Sequence, residues 1–234
     1  MVIQSWEHQG MATKFRGWPD AALEFFRGIE ADNTKTYWTE HRPTYEADVK
    51  APFEALSELV AEEFGPLKLT RPYRDIRFSK DKSPYKTRAY ATGEGEGGER
   101  YYVAISPTGL TAGSGYWMMS DDQLARFRVA VDDDAAGAEL EDTVAGMRAA
   151  RLDTAGDSLK TAPRGYRRDH PRIELLRHKG LAGVRDFEPA AWLHTAGAAR
   201  RVTDTWRAAA PLNAWLNRHV GPSTELPQDA GRYG

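Results

Sequence analysis

"RYYVAISPTGLTAGSGYWM", residues 100–118, predicts the centre of an antiparallel sheet. Two runs that suit extended backbone are separated by Pro-Thr-Gly at 107–109, a short turn in which Gly109 supplies the unusual backbone angle of a hairpin. The first run contains β-branched and aromatic residues, which favour strands. We therefore expect a hairpin here, within an antiparallel sheet that covers roughly residues 67–118.

Helical patterns flank this sheet in the chain. Before it, apolar residues at helical spacing predict one helix from about residue 19 to 33. A second is expected from about residue 36 to 64, with a break or kink at Pro52. After the sheet, helices return, with a short strand expected in "LAGVRDFEP", residues 181–189. Helices, sheet and helices in this order predict an α+β fold, an antiparallel sheet packed with N-terminal and C-terminal helices.

Length and composition indicate one folded domain. The chain has 234 residues, of which 41% are hydrophobic, and it contains seven Trp, ten Tyr and eight Phe. Such a chain can bury a substantial core. We expect residues 15–220 to form a single α+β domain, between a flexible N-terminal extension at 1–14 and a frayed tail at 221–234.

The absence of cysteine excludes disulfides and thiolate metal sites, and it is compatible with a reducing compartment. No apolar run approaches the roughly 20 residues of a membrane span. The first ten residues lack the basic head and apolar middle of a signal peptide. We expect a soluble, cytoplasmic protein without a membrane partner. No motif indicates a cofactor or an oligomeric state.

A basic cluster lies between Arg71 and Arg88. These eighteen residues contain seven Lys or Arg and two Asp, a local net charge of +5, so the remainder must carry -7 to give the chain's -2. A basic surface on an acidic protein attracts anions to one place. The cluster is therefore the first candidate for a binding site.

Part of this cluster shows the alternation of a strand. In "PYRDIRFS", residues 72–79, Ile76 and Phe78 would face the core, while Arg77 would face outward beside Asp75. A turn stiffened by Pro84 would follow. The planar guanidinium of Arg77 suits a carboxylate or a phosphate held by two hydrogen bonds.

We predict an anion site built from this segment, for an anionic or phosphorylated small molecule or a nucleotide. Its residues would be Arg74, Asp75, Arg77, Lys80, Lys82, Tyr85 and Lys86, with contributions from Arg42, Trp117 and Lys160 elsewhere in the chain. Two alternatives remain open. One is nucleic-acid or protein binding through an exposed basic patch. The other is a purely structural role, in which Arg77 pairs with Asp75 and the lysines with neighbouring acids.

Motifs for catalysis are weak, and the sequence leaves open whether the protein is an enzyme. His170 and Asp81 are the candidate proton carriers, because their side-chain types suit acid–base work. Ser79 and Lys82 have S-x-x-K spacing without its supporting elements. "GEGEGG", residues 93–98, matches G-x-G-x-x-G, but a strand follows it where a phosphate site needs a helix. The six histidines show no metal-binding spacing, so no metal site is predicted.

The segment 74–87, RDIRFSKDKSPYKT, resembles the R-D-x-R-F-S-K-D-K-x-P-Y-K-T signature of an uncharacterised bacterial and fungal family, domain of unknown function 2461. "GSGYW", residues 113–117, resembles its G-G-G-x-W strand. Its N-terminal motif also matches, at Asn33, Trp38, Arg42 and Tyr45, although Asp32 and Thr34 flank a single asparagine where the family usually has a pair. The resemblance spans about residues 15–190 and implies one domain. It implies no particular activity, because the family is uncharacterised.

Overall fold

The computed structural model describes residues 14–77 and 79–225 of the chain. The N-terminal part is helical. It consists of α1 (Asp20–Ala31), α2 (Lys35–Thr44), a π-helical segment (Tyr45–Lys50) and α3 (Ala51–Phe64). Gly65 ends α3 with a backbone φ of 73°, a conformation that glycine adopts without steric cost. The two predicted helices are therefore present, and the second is continuous from α2 to α3.

The π-helical segment lies between Pro43 in α2 and Pro52 in the first turn of α3. Proline lacks a backbone N–H, so Pro52 cannot donate to the carbonyl four residues earlier. The N–H of Ala51 bonds instead to the carbonyl of Glu46, five residues back. The irregularity expected at Pro52 is thus a widened turn that precedes the proline, rather than a break.

Within the described residues, six strands form one antiparallel sheet in the order β1-β2-β3-β4-β6-β5. The strands are β1 (Lys68–Leu69), β2 (Ala89–Glu94), β3 (Arg100–Ser106), β4 (Gly109–Tyr116), β5 (Asp153–Ala155) and β6 (Leu181–Phe187). The predicted hairpin is β3–β4, and Gly109 at its turn has a φ of 118°. β6 is the strand expected in 181–189, and β5 was not predicted.

Helices also follow the hairpin. They are α4 (Asp121–Asp132), α5 (Asp134–Ala149), the short α6 (Ile173–Leu176), α7 (Gly197–Ala208) and α8 (Ala210–His219), with a 3₁₀ turn at Ala191–His194. Ser120 and Gln123 form a capping box at the start of α4, which satisfies backbone donors that would otherwise lack partners. The α+β class predicted from the sequence is confirmed.

The core is formed by two clusters of buried side chains. The first joins α1, α3 and α7 to one face of β2–β4, with Trp18, Phe26, Ile29, Phe53, Leu56, Ile105, Leu110 and Trp206 at 2% exposure or less. The second joins α4, α5 and α8 to the ends of β4 and β6, with Phe127, Leu140, Met147, Trp215 and Leu181 equally buried. Within residues 14–77 and 79–225, neither cluster covers the opposite face of β2 and β3 with a helix.

The strand predicted at 72–79 is wrong. Tyr73 forms only an isolated bridge with Tyr85, and the residues between them form a loop. The Asp75 carboxylate accepts the backbone N–H of Arg77 at 3.2 Å, and the Asp81 carboxylate accepts that of Ser83 at 2.9 Å. Aspartates that bond the backbone two residues ahead favour turns over strands. Ile76 is only half-buried, and Phe78 lies outside the described residues.

The start of the predicted C-terminal tail is attached to α4. Gln123 donates to the carbonyl of Gly221 at 2.8 Å, and Asp122 accepts the backbone N–H of Thr224 at 2.8 Å. The rest of that tail, and residues 1–13 of the predicted N-terminal extension, lie outside the described residues. Across residues 14–77 and 79–225, no helix has the length and apolar character needed to span a membrane.

We predict opposite effects for two Gly→Ala substitutions. A Cβ at Gly115, where φ is 151°, would lie 2.4 Å from the Cα of Ala182 on β6. Gly115→Ala should therefore push β4 and β6 apart and lower the free energy of unfolding by several kcal/mol. Gly146 in α5 has nothing within 4 Å of an added Cβ. Gly146→Ala should therefore raise the free energy of unfolding by about 0.5–1 kcal/mol.

Urea denaturation of both variants beside the wild type measures these changes. If Gly115→Ala had the same midpoint of urea unfolding as the wild type, the close approach of β4 and β6 at Gly115 would be contradicted.

Candidate functional site

The basic segment is a loop, residues 74–84, held at its base by Asn33. The Asn33 amide donates to the carbonyl of Tyr85 at 3.0 Å and accepts the N–H of Tyr85 at 3.0 Å. The two chain ends of the loop also bond to each other, since Arg74 N–H donates to the carbonyl of Pro84 at 2.9 Å. The helical layer therefore fixes the position from which the loop projects. We call residues 74–84 the basic loop.

Aromatic rings surround the same base. Trp38 stacks on Tyr85 with ring centroids 4.6 Å apart and planes inclined by 10°. Tyr73 contacts both of them, at 5.4 Å from Tyr85 and 5.9 Å from Trp38. Trp38 and Tyr85 are buried, whereas Tyr73 is 50% exposed. Tyr85, which was predicted as a ligand-binding residue, is therefore an anchor of the loop.

Two of the predicted cations are paired inside the basic loop. Arg77 donates from Nε to Asp75 Oδ1 at 3.0 Å and from Nη2 to Asp75 Oδ2 at 2.6 Å. These hydrogen bonds lower the pKa of Asp75 to about 2. Arg74 pairs with Asp81. Bonds from Ser83 and Arg74 hold the pKa of Asp81 well below its ordinary value. The ion pair expected under the structural alternative, Arg77 with Asp75, is present.

The lysines are placed differently from these arginines. Lys82 Nζ donates to the carbonyl of Ile76 at 2.8 Å, and Lys80 is exposed. Lys86 lies beyond the loop, where its Nζ contacts Thr70 Oγ1 at 3.2 Å and lies 4.6 Å from the centroid of the Tyr90 ring. Within the described residues, none of these three lysines pairs with a carboxylate.

Lys86 lies at the end of a row of rings on the outer face of the sheet. Ala91 and Val103 belong to the core, so Tyr90 and Tyr102, which alternate with them, lie on the opposite face. Their ring centroids are 5.6 Å apart, and Tyr102 is 5.1 Å from Trp117. All three rings are half-buried. We call Tyr90, Tyr102 and Trp117 the ring row.

A glycine allows Trp117 to join this row. Gly113 pairs with Tyr102 across β3 and β4, and a Cβ at Gly113 would lie 3.3 Å from Cη2 of Trp117. The indole therefore folds back over Gly113, and its Nε1 donates to the carbonyl of Arg100 at 3.2 Å. The "GSGYW" motif was the sequence signal for this arrangement, although only Trp117 of the row was predicted as a contributor.

Charged groups border the row. The guanidinium of Arg88 lies 5.9 Å from the centroid of Tyr90. Burial raises the pKa of Tyr102, Arg88 lowers it, and Tyr90 and Asp186 raise it, which places these groups around one hydroxyl. Thr111 donates to Asp186 on the same face. Sequence reasoning counted Arg88 in the basic cluster but did not place it, Tyr90 or Tyr102 in a site.

The other predicted contributors lie apart from the ring row. His170 Nε2 is 3.0 Å from Asp132 Oδ1 at the end of α4, and its Nδ1 accepts the N–H of Arg172 at 3.0 Å. Both ring nitrogens are thus engaged in linking α4 to α6. Lys160 is exposed between β5 and α6. Arg42 lies on α2, 3.8 Å from Glu46.

The contacts of the two candidate proton carriers limit the chemistry they could perform. Asp81, with its lowered pKa, is ionised at neutral pH and is a weak base. His170 bonds to a carboxylate and a backbone N–H, in contacts that connect secondary-structure elements. Neither contact includes the ring row. Among the described residues, no group of three or more His, Cys, Asp or Glu side chains could hold a metal ion.

The structure defines an α+β protein. It carries the ring row on the outer face of its sheet and the basic loop beside it. The family model for a conserved hypothetical protein, DUF2461, matches residues 21–215. The match covers most of the chain, so the chain belongs to that family, as its basic motif predicted. No curated protein and no solved structure matches the chain.

We predict that Asn33→Ala destabilises the protein by about 1–3 kcal/mol, because it leaves the N–H and the carbonyl of Tyr85 unpaired in a partly buried position. Chemical denaturation measures the loss. Hydrogen exchange gives a local readout: the Tyr85 amide should exchange faster, whereas amides of α5, which belong to the second core cluster, should not. Unchanged exchange at Tyr85 would contradict the role assigned to Asn33.

Proposed function

We propose that the protein binds an anionic ligand that carries an aromatic ring, such as a nucleotide or another phosphorylated small molecule, on the ring row. The observation that carries this proposal is the position of Lys86 and Arg88 beside Tyr90. Two cations at one end of a line of rings suit a ligand with a phosphate at one end and a base at the other.

The charges of the cluster support this ligand class. Pairing of Arg74 with Asp81 and Arg77 with Asp75 uses both carboxylates of the cluster. Five cations then form no salt bridge among the described residues, namely Arg71, Lys80, Lys82, Lys86 and Arg88. Their uncompensated charge would attract an anion, and the attraction would be strongest where water is partly excluded.

The rings supply the apolar part of the site. Tyr90, Tyr102 and Trp117 are half-buried, so part of each remains open to a ligand. The face of an aromatic ring stacks on a nucleobase, and each such contact contributes about 1–3 kcal/mol. Asp186, whose Oδ1 accepts the hydroxyl of Thr111, has a second carboxylate oxygen that could accept a hydrogen bond from the polar edge of a base.

We expect ATP, tested by calorimetry and by quenching of tryptophan fluorescence, to bind the wild type saturably. Lys86→Ala and Arg88→Ala should each weaken binding by about tenfold, which corresponds to one charge-assisted hydrogen bond of roughly 1.5 kcal/mol. Trp117→Leu should weaken it as well, through loss of stacking.

Lys35→Ala and Arg148→Ala are the matched controls, because both residues are exposed, on α2 and α5 respectively, and neither belongs to the ring row or the basic cluster. They should bind as the wild type does. The proposal fails if neither ATP nor inorganic phosphate binds, or if the control variants lose as much affinity as Lys86→Ala and Arg88→Ala.

A second candidate is single-stranded nucleic acid. The favouring observation is that the ring row extends from β2 across β3 to the residue after β4. Rings on adjacent strands of a sheet are a known platform for successive stacked bases. The cations of the basic loop would then contact the phosphate backbone, as expected for an exposed basic patch.

Salt distinguishes the two candidates. Binding of an oligonucleotide should weaken steeply between 50 and 200 mM salt, by about 10³-fold or more if six phosphates are contacted. Binding of one nucleotide should change far less. We predict that a fluorescent decathymidylate binds no more tightly than the mononucleotide at 200 mM salt; tighter binding that involved several lysines would favour the nucleic acid.

A further inference from the structure

A groove lies beside Trp38, next to the base of the basic loop. It runs between the helical wall formed by α2, the π-helical segment and α3, and the chain from Leu67 to Tyr73 that contains β1. Its volume is about 640 Å³, within the range of pockets that hold small ligands or short peptides. None of the three residues of the ring row lines this groove. The groove is therefore a separate candidate site.

A tyrosine with a largely buried ring lines this groove. Tyr45, in the π-helical segment, is only 4% exposed and lines the groove. Burial, followed by the charges of Glu46 and Glu54, raises its pKa to about 12. Glu54 and Tyr73, which both act on the Tyr45 hydroxyl, line the groove as well. No hydrogen bond of this hydroxyl is found among the described residues, and its oxygen is not one of the fully buried polar atoms that lack a partner, so it is a donor that a ligand in the groove could reach.

The opposite wall offers backbone groups. β1 is the edge strand of the sheet. The N–H of Thr70 bonds to Tyr90 at 3.0 Å, and Leu69 is opposite Ala91. Hydrogen bonding alternates along an antiparallel pair, so the N–H and carbonyl of Leu69 point away from β2. Both backbone groups of Leu67, on the same side, bond to Ser57 Oγ on α3. The groups of Leu69 therefore form the open part of the edge, at which another extended chain can pair.

The charges of the groove differ between its walls. On the helical wall, Lys50 bonds to Glu46 at 2.9 Å and approaches Glu54 at 3.8 Å, so these charges are paired. On the strand wall, Lys68 and Arg71 are exposed and form no salt bridge among the described residues, although the charge of Arg71 helps to lower the pKa of Asp75. An occupant of this edge would therefore gain from negative side chains beside β1.

We propose that the groove binds an extended acidic peptide, which adds a strand to the edge of β1. The peptide backbone would exchange hydrogen bonds with the N–H and carbonyl of Leu69. One acidic side chain would pair with Arg71, and a carbonyl or carboxylate of the peptide would accept the hydroxyl of Tyr45. The open edge at Leu69, the Tyr45 hydroxyl and the exposed cations Lys68 and Arg71 all lie along the same groove.

The probe is a capped, fluorescent hexapeptide of alternating Glu and Val, measured by anisotropy with the full chain. Two further forms carry N-methyl groups, one on the Glu amides and the other on the Val amides. Only one set of amides can face β1, because alternate residues of a strand point their N–H groups to opposite sides. One methylated form should therefore lose binding at least tenfold while the other keeps it.

Variants test the two side-chain contacts. Arg71→Glu should weaken binding at least tenfold, by replacing attraction with repulsion. Tyr45→Phe keeps the ring in the core and should weaken binding by about two- to tenfold, the effect of one hydrogen bond. Arg148→Glu, an equal charge change on α5, is the control and should leave binding unchanged.

Four results would overturn the proposal. These are no binding of the Glu–Val peptide, equal binding of the two methylated forms, equal binding of a Lys–Val peptide, and binding of free glutamate as tight as that of the hexapeptide. The last result would identify a site for a small anion instead of a strand. Circular dichroism of Arg71→Glu and Tyr45→Phe checks that each variant is folded.

Discussion

The position of the basic loop depends on one side-chain amide. Asn33 bonds to both backbone groups of Tyr85, and in doing so it takes the place of a neighbouring strand at a point where the sheet has ended. Tyr85 in turn holds Trp38 in a stack. A link between residues 52 positions apart in sequence thereby joins the helical layer to the loop, at a modest cost in side-chain entropy.

Trp38 contacts the base of the basic loop and also lines the groove beside β1. Trp38 therefore joins the groove to the base of the basic loop. A ligand in the groove that moved this ring would also displace Tyr85 at the base of the loop, since packed aromatic side chains transmit displacements rather than absorb them.

Much of the fold followed from the sequence, because its elements obey simple periodicities. The β3–β4 hairpin, the helices on either side and the strand at Leu181–Phe187 were predicted from alternation, helical spacing and turn residues. The loop at 74–84 was misread as part strand because its alternation is real. Asp75 and Asp81 override that pattern by bonding to nearby backbone N–H groups, a local contact that hydrophobic alternation does not represent.

The candidate site was predicted only in part, for a related reason. The basic cluster is local in sequence, so Lys86 and its neighbours were found. The ring row is formed by strand register, which brings Tyr90, Tyr102 and Trp117 together from three parts of the chain. Without the register the tyrosines of β2 and β3 were indistinguishable from ordinary strand residues. The alternating glycines at Gly113 and Gly115 were the one local sign that a large ring folds back over β4.

The π-helical segment affects the angular phase of the long N-terminal helix. Tyr45, Val49 and Phe53 follow one another in steps of four and all belong to the first core cluster. In a regular α-helix each step of four overshoots a full turn by about 40°, so Phe53 would lie about 80° from Tyr45 around the axis. The wider turn removes much of this drift. Straightening Tyr45–Lys50 into a regular α-helix of the same length would restore this drift, and it would turn Phe53 and Leu56 relative to Tyr45 without altering a single core side chain.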